Sequence, residues 1–319
     1  MSGITLVTGS AGHLGEALVR TLRAAGRPVR GLDRLASPFT DVVGSITDAA
    51  VVERCMDGAG DVIHAATLHK PHVATHSRQQ FVDTNITGTL TLLEAAVRAR
   101  VRAFVFTSTT SAFGDALTPP PGAPAAWITE DVVPVPKNIY GATKVAAEDL
   151  CQLAHRNQGL ACLVLRTSRF FPEPDDDPAA RDGYADANLK ANEFLNRRLD
   201  IEDAVDAHLC ALERAPGLGF GRYIISATTP LRPEDAALLR RDAPAAVSCR
   251  VPSWEAIYAR LGWRMAPSID RVYDNARARA ELGWQPRHDF AAVLARARDT
   301  GDVRSPLARA IGARGYHRD

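Results

Sequence analysis

An α/β fold, built as a doubly wound parallel sheet followed by a smaller, mostly helical C-terminal part, is what the sequence predicts. Strand and helix patterns alternate through its first half. A glycine-rich turn stands directly between the first strand and the first helix. A run of hydroxyl residues ends a later strand, at the edge where open sheets of this kind bind ligands.

Residues 4–8 form a short apolar run with β-branched members and read as the first strand. Leu14, Leu18 and Leu22 then recur at helical spacing, and Gly26 supplies a stop. Residues 28–32 read as the second strand, 61–66 (DVIHAA) and 103–107 (AFVFT) as two more, with a helical pattern over 81–98 between them. A helix over 138–157 and a strand over 161–166 follow. Such alternation means right-handed crossovers and a parallel sheet covered on both faces. The pattern loosens after Phe171: a loop at 172–178, helical stretches at 188–195 and 203–214, a strand at 222–226, then short helices and irregular connections from Pro230. The expected division is a first unit of residues 1–171, to which the chain returns at about 201–228, and a second unit of residues 172–319.

With 319 residues, 46% of them hydrophobic, the chain can bury a large core. Its net charge is +1, and its Lys and Arg residues are not gathered into a long run, which points away from nucleic acid and from membrane surfaces. The five cysteines are odd in number and widely spaced, against a disulfide framework or structural zinc and in keeping with reduced thiols. No signal-peptide pattern precedes Ile4 and no apolar stretch is long enough for a bilayer, so a cytoplasmic chain is expected.

The first strand runs into Gly9-Ser10-Ala11-Gly12-His13-Leu14-Gly15, which opens a helix. Glycines there allow a tight turn and a close approach to a pyrophosphate, and the helix N-terminus offers free N–H groups and a positive dipole end. Asp33 ends the second strand, where a carboxylate can accept from the adenosine ribose hydroxyls and repel a 2′-phosphate. The expected cofactor is therefore NAD rather than NADP, although Arg34 stands next to it.

Tyr140 and Lys144 (YGATK) lie four apart on one face of a predicted helix. A tyrosine is a poor base at its ordinary pKa of about 10, and a neighbouring ammonium favours the phenolate. The cluster Thr107-Ser108-Thr109-Thr110-Ser111 places hydroxyls at a strand end, where one can bond the oxygen that gains or loses a proton.

The order of glycine turn, Asp33, DVIHAA, Asn85, TSTTSAFG, YGATK and Leu165-Arg166 resembles the extended short-chain dehydrogenases/reductases, also called the NAD-dependent epimerase/dehydratase family. The resemblance continues through RLDIED at 198–203 and AELGWQP at 280–286. It implies a Rossmann fold and NAD. Gly9, Gly12 and Gly15, with His13 and Leu14 in the same turn, would cradle the pyrophosphate. Asp33 would hold the ribose and Ile46 would flank the adenine, with Ser45 where the family usually has an acid. Ala65, Ala66 and Asn85 would line the cofactor. Counting back five residues from Gly114 puts the catalytic hydroxyl on Thr109, with Tyr140 as acid/base and Lys144 on the nicotinamide ribose.

Two departures matter. The family's 4,6-dehydratases have an Asp-Glu pair after the catalytic threonine, where this chain has Thr110 and Ser111. Loss of water is then poorly supported. The segment between Phe171 and Arg198 is short for a UDP-sugar epimerase, which suits a smaller sugar or sugar acid. His69, Thr110, Asn188 and Arg198 are the expected substrate contacts. The histidines at 64, 69, 72 and 76 and the aspartates at 175–177 are read as non-metal residues. The function implied is hydride transfer at a secondary alcohol of a sugar or sugar derivative. Its rivals are a UDP-sugar 4-epimerase and, in another class, a non-catalytic NAD-sensing regulator, which would be expected to lack the Tyr-x-x-x-Lys pair. A small-molecule substrate is the expected partner, and a homodimer is compatible with this reading.

Overall fold

A computed structural model describes residues 3–175 and 177–315. The first part alternates β1 (Ile4–Thr8), α1 (His13–Ala24), β2 (Val29–Asp33), β3 (Val42–Val43), α2 (Ala49–Met56) and β4 (Ala59–His64). Then come α3 (Arg78–Val82), α4 (Gly88–Ala99), β5 (Ala103–Thr109), β6 (Ala126–Ile128), α5 (Ile139–Gln158) and β7 (Cys162–Thr167). After α6 (Pro178–Gly183) and α7 (Asp186–Glu193) the chain returns to the sheet with α8 (Ile201–Leu218) and β8 (Phe220–Ile225).

Seven parallel strands lie in the order β3-β2-β1-β4-β5-β7-β8, as expected of a doubly wound sheet. Successive strand residues point to opposite faces. Val7, Ile63, Val105 and Leu165 therefore join the core under α1 and α8. Leu6, Val62, Phe104 and Val164 join the core under α2, α4 and α5. Both faces are covered, which is why these strands read as near-continuous apolar runs.

The helical pattern at 81–98 is not one regular helix. A π-helical turn, Asp83–Thr87, joins α3 to α4. It turns Asn85 inward, where the amide accepts from Leu68 N at 2.9 Å and donates to Leu68 O at 2.9 Å and to Thr143 Oγ1 at 3.0 Å. α5 starts where Asn138 accepts from Gly141 N at 3.1 Å and stops at Gly159, whose φ is 72°.

A separate core joins α7 with α9 (Ala236–Arg241), α10 (Ala243–Ser248), α11 (Trp254–Leu261) and α13 (Phe290–Thr300). One element here was not legible in the sequence: β9 (Arg271–Tyr273) pairs in parallel with β6. The chain also comes back to the main sheet. α12 (Ala276–Leu282) and α14 (Pro306–Ile311) contribute Ala278, Leu282 and Ile311 to the core around α8. Trp284 is fully buried there and donates to Asp203 O at 3.1 Å, while the Asp203 carboxylate accepts from the amides of Arg287 and His288, both at 2.9 Å. No helix among the described residues is long and apolar enough to cross a membrane.

Trp284→Ala should lower unfolding free energy by about 3–5 kcal/mol, the usual cost of emptying a large aromatic site. Urea unfolding with a midpoint unchanged from wild type would mean that Trp284 does not anchor its segment to the core around α8.

Candidate active site

A cavity of about 610 Å³ opens outside the carboxyl ends of the strands, within the size range of small-molecule sites. Its walls include the glycine turn, the ends of β2, β5 and β7, and residues 65–72 beyond β4. Asp270, Arg271 and Tyr273 close it from the C-terminal part.

At the turn, Gly9 has φ 75°, and a Cβ there would lie 2.7 Å from Ala66 N. A Cβ on Gly15 would lie 1.9 Å from Gly9 O. Both positions therefore exclude any other residue. No side chain caps α1 at Gly12, which leaves first-turn amides to an anion at the cavity wall. This bare cradle fits a dinucleotide pyrophosphate. His13, Leu14, Asp33, Ile46, Ala65 and Ala66 all line the same cavity. Asp33 accepts from Ala11 N and Leu35 N, each at 2.9 Å, so it also holds the turn.

At the other end, Thr109 and Tyr140 meet. Burial pushes the Tyr140 phenol up to about 12, while a hydrogen bond from Thr109 draws it down. Lys144 is buried behind the lining, with its ammonium 4.2 Å from the centre of the Phe106 ring. Among the described residues no oxygen accepts from that ammonium. Burial pushes it down to about 7, with Glu148 pulling the other way. Ribose hydroxyls are acceptors of the kind this ammonium lacks, so the donor set here fits a dinucleotide as well.

Tyr140, Lys144 and Glu148 follow at four-residue intervals along one buried face of α5. Glu148 was not anticipated, although its spacing was visible. It binds Arg166 at 2.7 Å and Arg222 at 3.1 Å, and accepts from Ser108 Oγ at 2.6 Å. The network ties α5 to β5, β7 and β8, directly under Tyr140 and Lys144.

Other expectations fare differently. His69 and Thr110 line the cavity, and the His69 ring stacks on Phe171 at 5.2 Å. Asn85 does not line it and instead holds the loop around Leu68, which does. Asn188 and Arg198 are corrections, for neither faces the cavity. Asn188 is buried against Arg264, accepting from its N–H and donating to its carbonyl, both at 3.0 Å. Arg198 is buried in an ion pair with Glu193 at 2.7 Å and bonds Phe171 O at 2.5 Å. Between residues 184 and 203 only Arg197 reaches the wall, and Asp270, Arg271 and Tyr273 join it from further along the chain.

His64 is buried between Thr8 (2.8 Å) and Thr89 (2.9 Å), with burial and then the Lys144 charge holding its pKa well below the usual value. Asp175 is paired with Arg169, and Asp177 caps α6 through Ala179 N at 3.0 Å. Asp176 lies outside the described residues. Among the described residues no group of three His, Cys, Asp or Glu side chains is placed to hold a metal.

Lys144 has a consequence for stability. An unfolded chain keeps a lysine near about 10.4. Between that value and the folded one, only the unfolded chain holds the proton, so stability rises with pH across this window. Lys144→Met removes the penalty. The melting temperature of the variant without cofactor should exceed wild type most near the folded pKa of about 7 and converge with it toward about 10. A gap that does not change with pH would contradict the burial of this amine.

Comparison with known proteins agrees with this geometry. Residues 5–225 match the NAD dependent epimerase/dehydratase family. The dTDP-glucose 4,6-dehydratase of Streptomyces antibioticus is 31% identical over 92% of this chain and 91% of its own length. The UDP-glucose 4-epimerase of Azospirillum brasilense is 26% identical over 95% of this chain and 90% of its own. A short-chain dehydrogenase/reductase superfamily protein from Agrobacterium tumefaciens, solved with bound NAD, superposes with a TM-score of 0.66 at 25% identity, covering 96% of this chain and 97% of that one. The chain belongs to the NAD-dependent epimerase/dehydratase family, the extended short-chain dehydrogenases/reductases, and is an NAD-dependent enzyme.

Proposed function

We propose that this enzyme transfers hydride at a secondary alcohol of a sugar or sugar derivative, with Thr109, Tyr140 and Lys144 as its catalytic residues. The observation that carries the reading is the convergence of Thr109 and Tyr140 at one end of a cavity whose other end is a bare glycine cradle. NAD, when bound, supplies the hydride acceptor. The chain's own residues do the rest. Thr109 and Tyr140 bond the reacting oxygen, and Tyr140 takes or returns its proton. Lys144 holds ribose hydroxyls and lowers the phenol's proton affinity by its charge. Gly9, Gly12 and Gly15 cradle the pyrophosphate, and Asp33 favours NAD over NADP. Residues 1–171 with 201–228 serve as the cofactor unit, and 172–319 supply the substrate wall through Arg197, Asp270, Arg271 and Tyr273. All five cysteines are free, as suits the reducing cytoplasm we assign to it.

Dehydration is disfavoured. The relative from S. antibioticus is named a dehydratase, but Thr110 and Ser111 stand where that chemistry uses an Asp-Glu pair. Return of the hydride to the opposite face would give epimerisation, and release of the ketone would give dehydrogenation.

Tyr140→Phe keeps the ring and removes the proton. Turnover should fall by about a hundred- to ten-thousand-fold with NAD affinity unchanged. Wild-type turnover in this variant would remove Tyr140 from the chemistry. Substrate size has its own test, because a ligand raises melting temperature according to its concentration over its Kd. With NAD present, UDP should not shift the melting temperature. Clear stabilisation by UDP would instead favour a nucleotide-sugar substrate.

A further inference from the structure

The side chains around the glycine turn are a poor setting for a diphosphate. Glu16 lies in the first turn of α1 and its side chain is 1% exposed. Glu173 stands 2.9 Å from His13 at the cavity wall. Burial pushes the Glu173 carboxyl up, but its bonds to His13 and to an amide of the C-terminal segment outweigh this and hold it below the usual range. Asp33 is anchored on Ala11 N at 2.9 Å. Asp33 and Glu173 line the cavity and Glu16 is buried behind the turn, so three carboxylates stand near a site meant for two phosphate charges.

What offsets them comes from the opposite end of the chain. Beyond α14 the backbone reaches back over the turn, and Arg314 N donates to Glu173 Oε1 at 2.9 Å. The Arg314 guanidinium donates to Ala11 O and pairs with Glu16. Arg20 also binds Glu16, at 2.6 Å, but its side chain is 41% exposed and it does not line the cavity. Arg314 and Gly315 do line it, beside Gly12 and His13. A guanidinium carries five N–H donors in a planar fork that matches phosphate oxygens. Ala11 O and Glu16 leave donors over for a ligand.

We propose that Arg314 is a cofactor-binding residue, carried on a C-terminal strap, that neutralises Glu16 and binds the diphosphate of the dinucleotide. The proposal rests on the reading of this cavity as the NAD site. It makes the C-terminal segment, far from the glycine turn in sequence, part of the cofactor cradle. It also couples cofactor binding to the seating of that segment, because the residue that meets the phosphates is the one that pins the strap to Glu16, Ala11 and Glu173.

The test is the equilibrium binding of NAD, ADP and adenosine to the full chain by calorimetry, in wild type, Arg314→Ala, Arg314→Lys and the double variant Glu16→Gln/Arg314→Ala. Loss of a charge-assisted phosphate contact should weaken NAD and ADP by about ten- to a hundredfold and leave adenosine unchanged. Lysine should recover part of the loss, since it restores the charge without the fork. Glu16→Gln in the Arg314→Ala background should recover part as well, by removing the uncompensated acid. Separately, NAD should slow tryptic cleavage after Arg314 in the wild type. Equal binding of NAD by wild type and Arg314→Ala would overturn the proposal. So would an equal loss for NAD and adenosine, which would mark the strap as structural only. A wild type that binds adenosine and ADP but not NAD would instead sink the NAD reading itself, and one that binds none of the three would sink both.

Discussion

Burying the Lys144 ammonium where no oxygen among the described residues accepts from it is costly, and α5 must be held in place against that cost. The hold comes from one turn further along. Glu148, fully buried, is met by Arg166, Arg222 and Ser108, so its charge is compensated by groups on three strands. Breaking such a pair by removing one partner is far more damaging than never having built it. The helix is thereby fixed to the sheet at its charged face, with Lys144 and Tyr140 kept at the strand ends. On the proposed function, a ligand rather than the protein completes the lysine's bonding.

Much of this was legible in the sequence. The strands of the first half were plain because both sheet faces are covered and their residues are apolar. The glycine turn was plain because only glycine fits at residues 9 and 15. Tyr140 and Lys144 were legible because helical spacing alone puts them on one face. Arg198 failed because spacing does not reveal that it is buried against Glu193, and Asn188 failed for a related reason. Periodicity shows that α7 has a buried face but not what that face meets, and it meets Arg264 and the helical core rather than the cavity. The cavity wall at 270–273 was hidden because β9 is three residues long and gains its partner, β6, from some 145 residues away. Arg314 was hidden likewise, being a charged residue near the chain end with no local pattern to mark it.

On the proposed function, the substrate side is built differently from the cofactor side. The cradle is backbone and small residues, shaped by steric exclusion. The opposite wall is side chains: Arg197, Asp270, Arg271 and Tyr273. Arg271 is anchored to Gly114 O at 3.1 Å, just beyond the hydroxyl-rich turn that carries Thr109. Change in that wall can alter what is bound without touching the hydride chemistry, because the fold carries the site but does not dictate its substrate.

On the proposed function, the phenol of Tyr140 is held protonated by burial until the cofactor arrives and is acidified by its binding. Ultraviolet difference titration of the tyrosines, in wild type and in Tyr140→Phe, isolates the one phenol, and repeating it with NAD measures the change. Without NAD, Tyr140 should titrate above the ordinary tyrosine range, near about 12. With NAD it should move toward neutrality. An ordinary value without NAD, or no movement on adding it at saturating concentration, would contradict the account.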